Sequence, residues 1–252
     1  MADDDNPYKV SGLTEKEKLY EENKPMTRVE YLVRRRKFDA LLSMVNALRN
    51  KDVLNLGCGG GMDCEWVFLE GGNVVGLDVS NELIKIAKKR FKKKRMNGMF
   101  VLADMDNLPF KKNSFYLILT YDALHHTNNI LKTLNESYKV TSNFIGIVEP
   151  NKNCLTRKIA GLFTKKLLLE HSGEITKSYG MSDYLRNFRL AGFFIKKYNF
   201  CNIVPPEVYT KDFEISYGPV KSLMIHIAPF LDEIFEKMFP YLCSACIILG
   251  KK

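Results

Sequence analysis

Short apolar runs alternate along this chain with stretches in which apolar residues return every three or four positions, and several of the runs close on glycine, asparagine or a carboxylate. Runs at 53–56, 73–78, 99–103, 114–120 and 143–151 have the length and composition of strands, and their continuous apolar character suits burial on both faces. The segments 62–70, 82–95 and 130–140 between them carry helical spacing; Leu83, Ile84, Ala87 and Phe91 mark the inward stripe of the second. Ahead of the first strand, Val29, Leu32, Val33, Phe38, Leu41, Leu42, Val45 and Leu48 predict one long helix from Thr27. Residues 1–12 are polar and expected to be loose, and 14–22 predicts a short charged helix with Thr14 as its cap. Past 151 the pattern weakens. It returns as a helix at 182–191 capped by Ser182, a strand from Gly192 to about Cys201, and a last strand at 243–249. Strict alternation of strand and helix implies a parallel sheet with right-handed crossovers and a ligand crevice at the strands' C-terminal ends.

The first strand stops in Gly57-Cys58-Gly59-Gly60-Gly61. Glycines there permit backbone angles other residues resist and let a ligand lie against the main chain at a helix N-terminus. A dinucleotide loop would read G-x-G-x-x-G, but position 62 is methionine, so the spacing here is G-x-G-x-G. With its strand, this loop resembles the first motif of the class I S-adenosylmethionine-dependent methyltransferases. That motif usually opens on an acid where this chain has Asn55, an amide that still accepts a hydrogen bond but brings no charge to the cofactor's ammonium. Asp78 ends the second strand about 20 residues past the first glycine, where a carboxylate can accept both hydroxyls of a ribose. The alternative is a helix cap, for which Ser80 competes. The resemblance strengthens after the third strand. An acid in that turn of the family accepts from the adenine amino group and the next residue packs on the ring; Asp104 and Met105 match. Leu108-Pro109-Phe110 through His125-His126 is similar to the small-molecule subgroup that includes quinone-biosynthesis enzymes, with Tyr116 where that subgroup has an acid.

The resemblance covers about residues 40–202 and the last strand. It implies a Rossmann-like α/β fold, a seven-stranded mostly parallel sheet of order 3-2-1-4-5-7-6 with helices on both faces. It also implies S-adenosyl-L-methionine as cofactor, with S-adenosyl-L-homocysteine as product. Asn55, Gly57, Cys58, Gly59, Gly61, Asp78, Val79, Asp104, Met105 and Tyr121 should line the cofactor. Arg34, Arg35 or Arg36, or Arg28 with Tyr31, could pair with its carboxylate, or form a solvated basic face. Methyl transfer is an in-line displacement, so the protein's task is to position the acceptor and exclude water. For a hydroxyl acceptor, His126 or His125 is the residue suited to take the proton.

Composition narrows the partners. The chain of 252 residues has formal net charge +9 and 46% hydrophobic residues, enough for one domain with a sizeable core. The charge favours an anionic partner or merely aids solubility. The run Lys92-Lys93-Lys94 lacks the aromatic surface of a nucleic-acid binder, making an RNA acceptor the rival reading and a non-catalytic cofactor-binding protein the third. Six scattered cysteines, with Cys243 and Cys246 as the only C-x-x-C, read as reduced core residues, and no metal site is expected, Asp104 and Asp106 lacking a third oxygen ligand. No signal peptide or membrane-length apolar run is visible, and the expected location is the cytoplasm. One domain spans 1–252, with an N-terminal extension at 1–26 and helical insertions at 152–180 and 203–241 that should cap the acceptor site. The first insertion carries Arg157, Lys158, Lys165, Lys166, Glu170, His171 and Glu174, the second an apolar stripe across 220–239, interrupted by Pro229, that would lie over an acceptor with an apolar part.

Overall fold

The computed structural model describes residues 28–127, 129–155, 158, 179–202, 232, 234 and 236–252. The helix α1 (Arg28–Leu42) is followed by β1 (Asp52–Leu56), α2 (Met62–Leu69), β2 (Asn73–Asp78), α3 (Asn81–Lys93), β3 (Met99–Leu102), β4 (Phe115–Tyr121), α4 (Ile130–Val140), β5 (Thr141–Pro150), α5 (Met181–Leu190), β6 (Phe194–Cys201) and β7 (Ala245–Lys251). The strands form one seven-stranded sheet of order β3-β2-β1-β4-β5-β7-β6, the order expected. β1 to β5 run parallel, and β7 inserts antiparallel between β5 and β6.

The register explains why the central strands are apolar without interruption. Leu54 lies beside Ile118, and Ile118 beside Ile145, all three fully buried. Each such side chain contributes about 1.5–3 kcal/mol by leaving water. Because successive residues point to opposite faces, each strand feeds two cores. Val53, Leu117, Leu119, Phe144 and Ile247 pack with Phe38 and Leu41 of α1, Trp66 of α2 and Phe91 of α3. Leu54, Ile118, Ile145 and Ile248 pack on the other face with Leu134 of α4 and Tyr184 and Phe188 of α5. All six cysteines are free and buried.

Element ends depart from the expected ones where a local hydrogen bond overrides periodicity. α1 stops at Leu42, with Met44 N–H donating to the Leu41 carbonyl and Val45 N–H to that of Leu42. Val45 and Leu48 are still buried, since a connection folded back on the core satisfies them as well as a longer helix would. α5 is capped at Gly180 rather than Ser182, because the Asp183 carboxylate reaches back 2.9 Å to the Gly180 N–H. β7 begins two residues late: the Cys243 carbonyl accepts from Asn151 Nδ2 at 2.9 Å and the Ser244 carbonyl from the Asn151 N–H at 2.9 Å. The helix expected at 14–22 and most of the two insertions, including Pro229 and Phe235, lie outside the described residues. No helix among the described residues is long and apolar enough to cross a membrane.

Candidate functional site

The loops that follow β1, β3 and β4 meet at Gly57. Its φ is +65°, and a Cβ built there would stand 2.5 Å from Ala123 Cβ and 3.4 Å from Met105 Cε. Only glycine fits, on both backbone and steric grounds. Gly61, at φ +80°, starts α2, and a Cβ there would lie 3.0 Å from Ala87 Cβ of α3. The loop is held from behind. Arg90 Nε of α3 donates to the Gly60 carbonyl at 2.6 Å, and Cys58 N–H donates to the Leu77 carbonyl at 2.9 Å. The Cys58 thiol turns under the loop, near enough to Gly76 that a Cβ there would lie 2.9 Å from its sulfur. A hydrogen bond with Cys64, then burial, pushes that thiol well above its ordinary pKa, so position 58 offers its backbone rather than a thiolate.

Asp78 closes the opposite side. Its Oδ2 accepts from Gly59 N–H and its Oδ1 from Ser80 N–H, both at 2.9 Å. Ser80, not Asp78, caps α3, its hydroxyl accepting from Leu83 N–H. Both Asp78 oxygens are thus oriented by backbone donors. Val79 follows, half-buried. In the turn after β3, Asp104 Oδ1 accepts from Asp106 N–H at 3.0 Å. Asp106 is committed elsewhere, accepting from Thr127 Oγ1 at 2.9 and 3.0 Å and from Thr133 Oγ1, which ties this turn to the start of α4. Among the described residues no group of carboxylates, histidines and cysteines could hold a metal ion. Asn55 is fully buried; its Nδ2 donates to Cys64 Sγ at 3.5 Å and its Oδ1 has no partner. An orphaned buried acceptor two residues ahead of the glycine loop fits a donor arriving with a ligand.

Beyond β4 the chain meets α1. Tyr121 points into the core, its hydroxyl donating to the Arg34 carbonyl at 2.8 Å and its ring edge-on to Trp66. Asp122 takes φ +48° and accepts from Lys37 Nζ at 3.2 Å and Arg34 at 3.5 Å. Burial works against its charge, but Lys37 and Arg34 outweigh it and hold the carboxyl below its ordinary range. The arginines divide. Arg35 pairs with Asp39 and Glu70 and Arg36 with Asp232 and Glu236, leaving Arg34, which also binds Glu30, as the one facing the strand ends. Tyr31 stacks edge-on against Trp66, and the Arg28 side chain lies outside the described residues.

Glu149 is the residue that reading the sequence missed. Fully buried at the end of β5, it accepts through Oε1 from Thr120 Oγ1 and from the N–H groups of Ala123 and Leu124 at 3.1, 3.1 and 2.9 Å. Its Oε2 accepts from His125 N–H at 3.3 Å and lies 2.8 Å from His125 Nδ1. The signal was present: an acid closing the apolar run 144–148 cannot be buried without donors. His125 is buried, and the half-buried His126 stacks on it with ring centres 4.1 Å apart.

The sheet order and overall architecture are those of the Rossmann-like methyltransferase fold. Residues 54–143 match the model of the methyltransferase domain family. Over 93 residues it is 36% identical to the ubiquinone biosynthesis O-methyltransferase of Pelagibacter ubique, covering 37% of this chain and 38% of that protein. Over 91 residues it is 34% identical to the sterol 24-C-methyltransferase of Pneumocystis carinii, 35% of this chain and 24% of that one. The matched part spans well under half the length of these relatives. The crystal structure of an S-adenosylmethionine dependent methyltransferase from Mesorhizobium loti aligns at TM-score 0.58 and 18% identity, covering 86% of this chain and 97% of that one.

Proposed function

We propose that this protein transfers a methyl group from S-adenosyl-L-methionine to a small-molecule acceptor. The observation that carries this reading is the convergence at Gly57, where the loops bearing Asp78, Asp104–Met105 and Ala123 border one glycine cradle whose bare backbone admits a ligand. Asp78 would hold the ribose, Asp104 the adenine amino group, Met105 and Val79 the adenine faces, and the backbone of Gly57, Cys58, Gly59 and Gly61 the methionine part. Asn55 Oδ1, the buried acceptor without a partner, would take the cofactor's ammonium, and Arg34 its carboxylate. Tyr121 would act from behind, by fixing α1 over this end of the sheet. Bound there, the cofactor supplies an electrophilic methyl on a sulfonium.

A small-molecule acceptor is supported by the relatives named above, whose names give ubiquinone biosynthesis for one and a sterol for the other. The exposed Lys92 and Lys93 lie at the end of α3, with no aromatic platform on that helix end. The test is transfer of labelled methyl from S-adenosylmethionine into fractionated metabolites and, separately, total RNA. Label in a small-molecule fraction is expected; label confined to RNA would overturn the acceptor class.

A further inference from the structure

We infer that His125 is the base that takes a proton from a hydroxyl acceptor, and that Glu149 is the positioning residue that fixes its tautomer. The inference rests on the methyltransferase reading and deepens it by naming an acceptor class, a phenol or alcohol. Three backbone N–H groups, a threonine hydroxyl and His125 Nδ1 surround the two Glu149 oxygens. Three N–H groups and a hydroxyl aimed at one buried carboxyl favour the carboxylate over the acid, and a carboxylate only accepts. Nδ1 therefore carries the proton in the 2.8 Å contact, and the basic lone pair of the neutral ring sits on Nε2.

The same carboxylate grips the main chain of Ala123 and Leu124, and Ala123 abuts Gly57 in the cradle. Glu149 thus sets both the ring and the loop that carries it relative to the cofactor. The His126 ring stacks on that of His125. Among the described residues, other charged or titratable groups near this pair are Asp122 with Lys37 and Arg34 from α1, the Cys246 thiol of β7, and the buried Tyr184 hydroxyl of α5, which has no hydrogen-bond partner.

In the proposed step an acceptor oxygen attacks the sulfonium methyl carbon while its proton passes to His125 Nε2. The carbon–sulfur bond breaks with its electron pair left on sulfur. The imidazolium formed is paired with Glu149 in a buried site, where attraction between charges is stronger than in water. It returns the proton to solvent after product release. A carbon nucleophile or an already ionised carboxylate would not need this pair.

The experiment uses the full chain with isotope-labelled histidine, four residues in all, saturated with S-adenosylhomocysteine. Long-range proton–nitrogen spectra recorded above the ordinary histidine pKa of about 6.5 report the tautomer. The expected result is a proton on Nδ1 of His125, assigned by its loss in His125→Asn. Glu149→Gln, which presents an N–H to Nδ1, should move that proton to Nε2. His125→Asn keeps a donor to Glu149 but has no basic nitrogen, so it separates a latch from a base. It should melt and bind S-adenosylhomocysteine like the wild type, while transfer to a panel of phenols and alcohols falls about 100-fold or more. A wild-type proton on Nε2 would overturn the inference, as would turnover that survives in His125→Asn. So would a wild type that binds S-adenosylhomocysteine yet methylates no hydroxyl in the panel. A wild type that binds none overturns the methyltransferase reading instead, and the two failures are distinct.

Discussion

The Lys37 ammonium lies 3.2 Å from Asp122 Oδ2, in a contact where Lys37 is only 3% exposed. It joins α1 to the loop that leads to His125, and it does so through a residue in the left-handed region, φ +48°. Asparagine tolerates that conformation nearly as well as aspartate, so Asp122→Asn removes charge without reshaping the turn. The substitution leaves a buried ammonium poorly compensated and should cost about 3 kcal/mol of stability. Urea denaturation measures this; a loss near zero would mean that Arg34 and Glu30 carry the clamp without Asp122.

The same pair sets an acid limit. Because the folded pKa of Asp122 is lowered from 3.8, its contribution is fully present above that value. It is lost as the pH falls through the lower folded value. Denaturation followed from pH 5 downward, about one unit above the aspartate range, should show wild-type stability falling more steeply than that of Asp122→Asn. Parallel curves would contradict the lowered pKa.

Gly57→Ala introduces a Cβ 2.5 Å from Ala123 Cβ at a φ of +65°. The left-handed backbone alone costs about 1–2 kcal/mol, and the clash adds to it. S-adenosylhomocysteine binding should be lost. Ala123→Gly in the same chain removes the clash but not the strain, so binding should return in part. Full binding by Gly57→Ala alone would show that the loops do not meet as described.

The parallel part of the sheet was legible because burial on both faces forces apolar strands and alternation with helices implies parallel crossovers, while the order with its antiparallel last strand came from the family resemblance of the loop motifs. The places of Gly57, Asp78 and Asp104 were legible for a related reason: each sits at or just past a strand end, where position in sequence fixes position in space. The pairings of Glu149 and Lys37 were not, although an acid ending an apolar run is itself visible. Their partners, His125 and Asp122, lie 24 and 85 residues away, and nothing local marks such a pairing. The ends of α1 and β7 were misjudged because apolar spacing records which residues must be buried, not which backbone conformation buries them. Tyr121 shows the same limit, since its place at the end of β4 did not say that its ring turns toward Trp66.

The lysines at the end of α3 should prove neutral. Lys92 and Lys93 are exposed, and Lys94 pairs with Glu65 on the surface, a contact worth at most about 1 kcal/mol. Replacing all three by glutamine should leave methyl transfer unchanged and shift stability by no more than that. Tight RNA binding at physiological salt, lost in this variant, would mean that the charge serves a nucleic acid.

The most direct test of the cofactor site is calorimetry of S-adenosylhomocysteine with the wild type and Asp78→Ala. The wild type should bind one equivalent saturably. The variant should lose about 1.5–3 kcal/mol, roughly 10- to 150-fold, because the hydrogen bonds to a charged acceptor are gone. A wild type that gives no binding heat, or a variant that binds with wild-type affinity, would contradict the account.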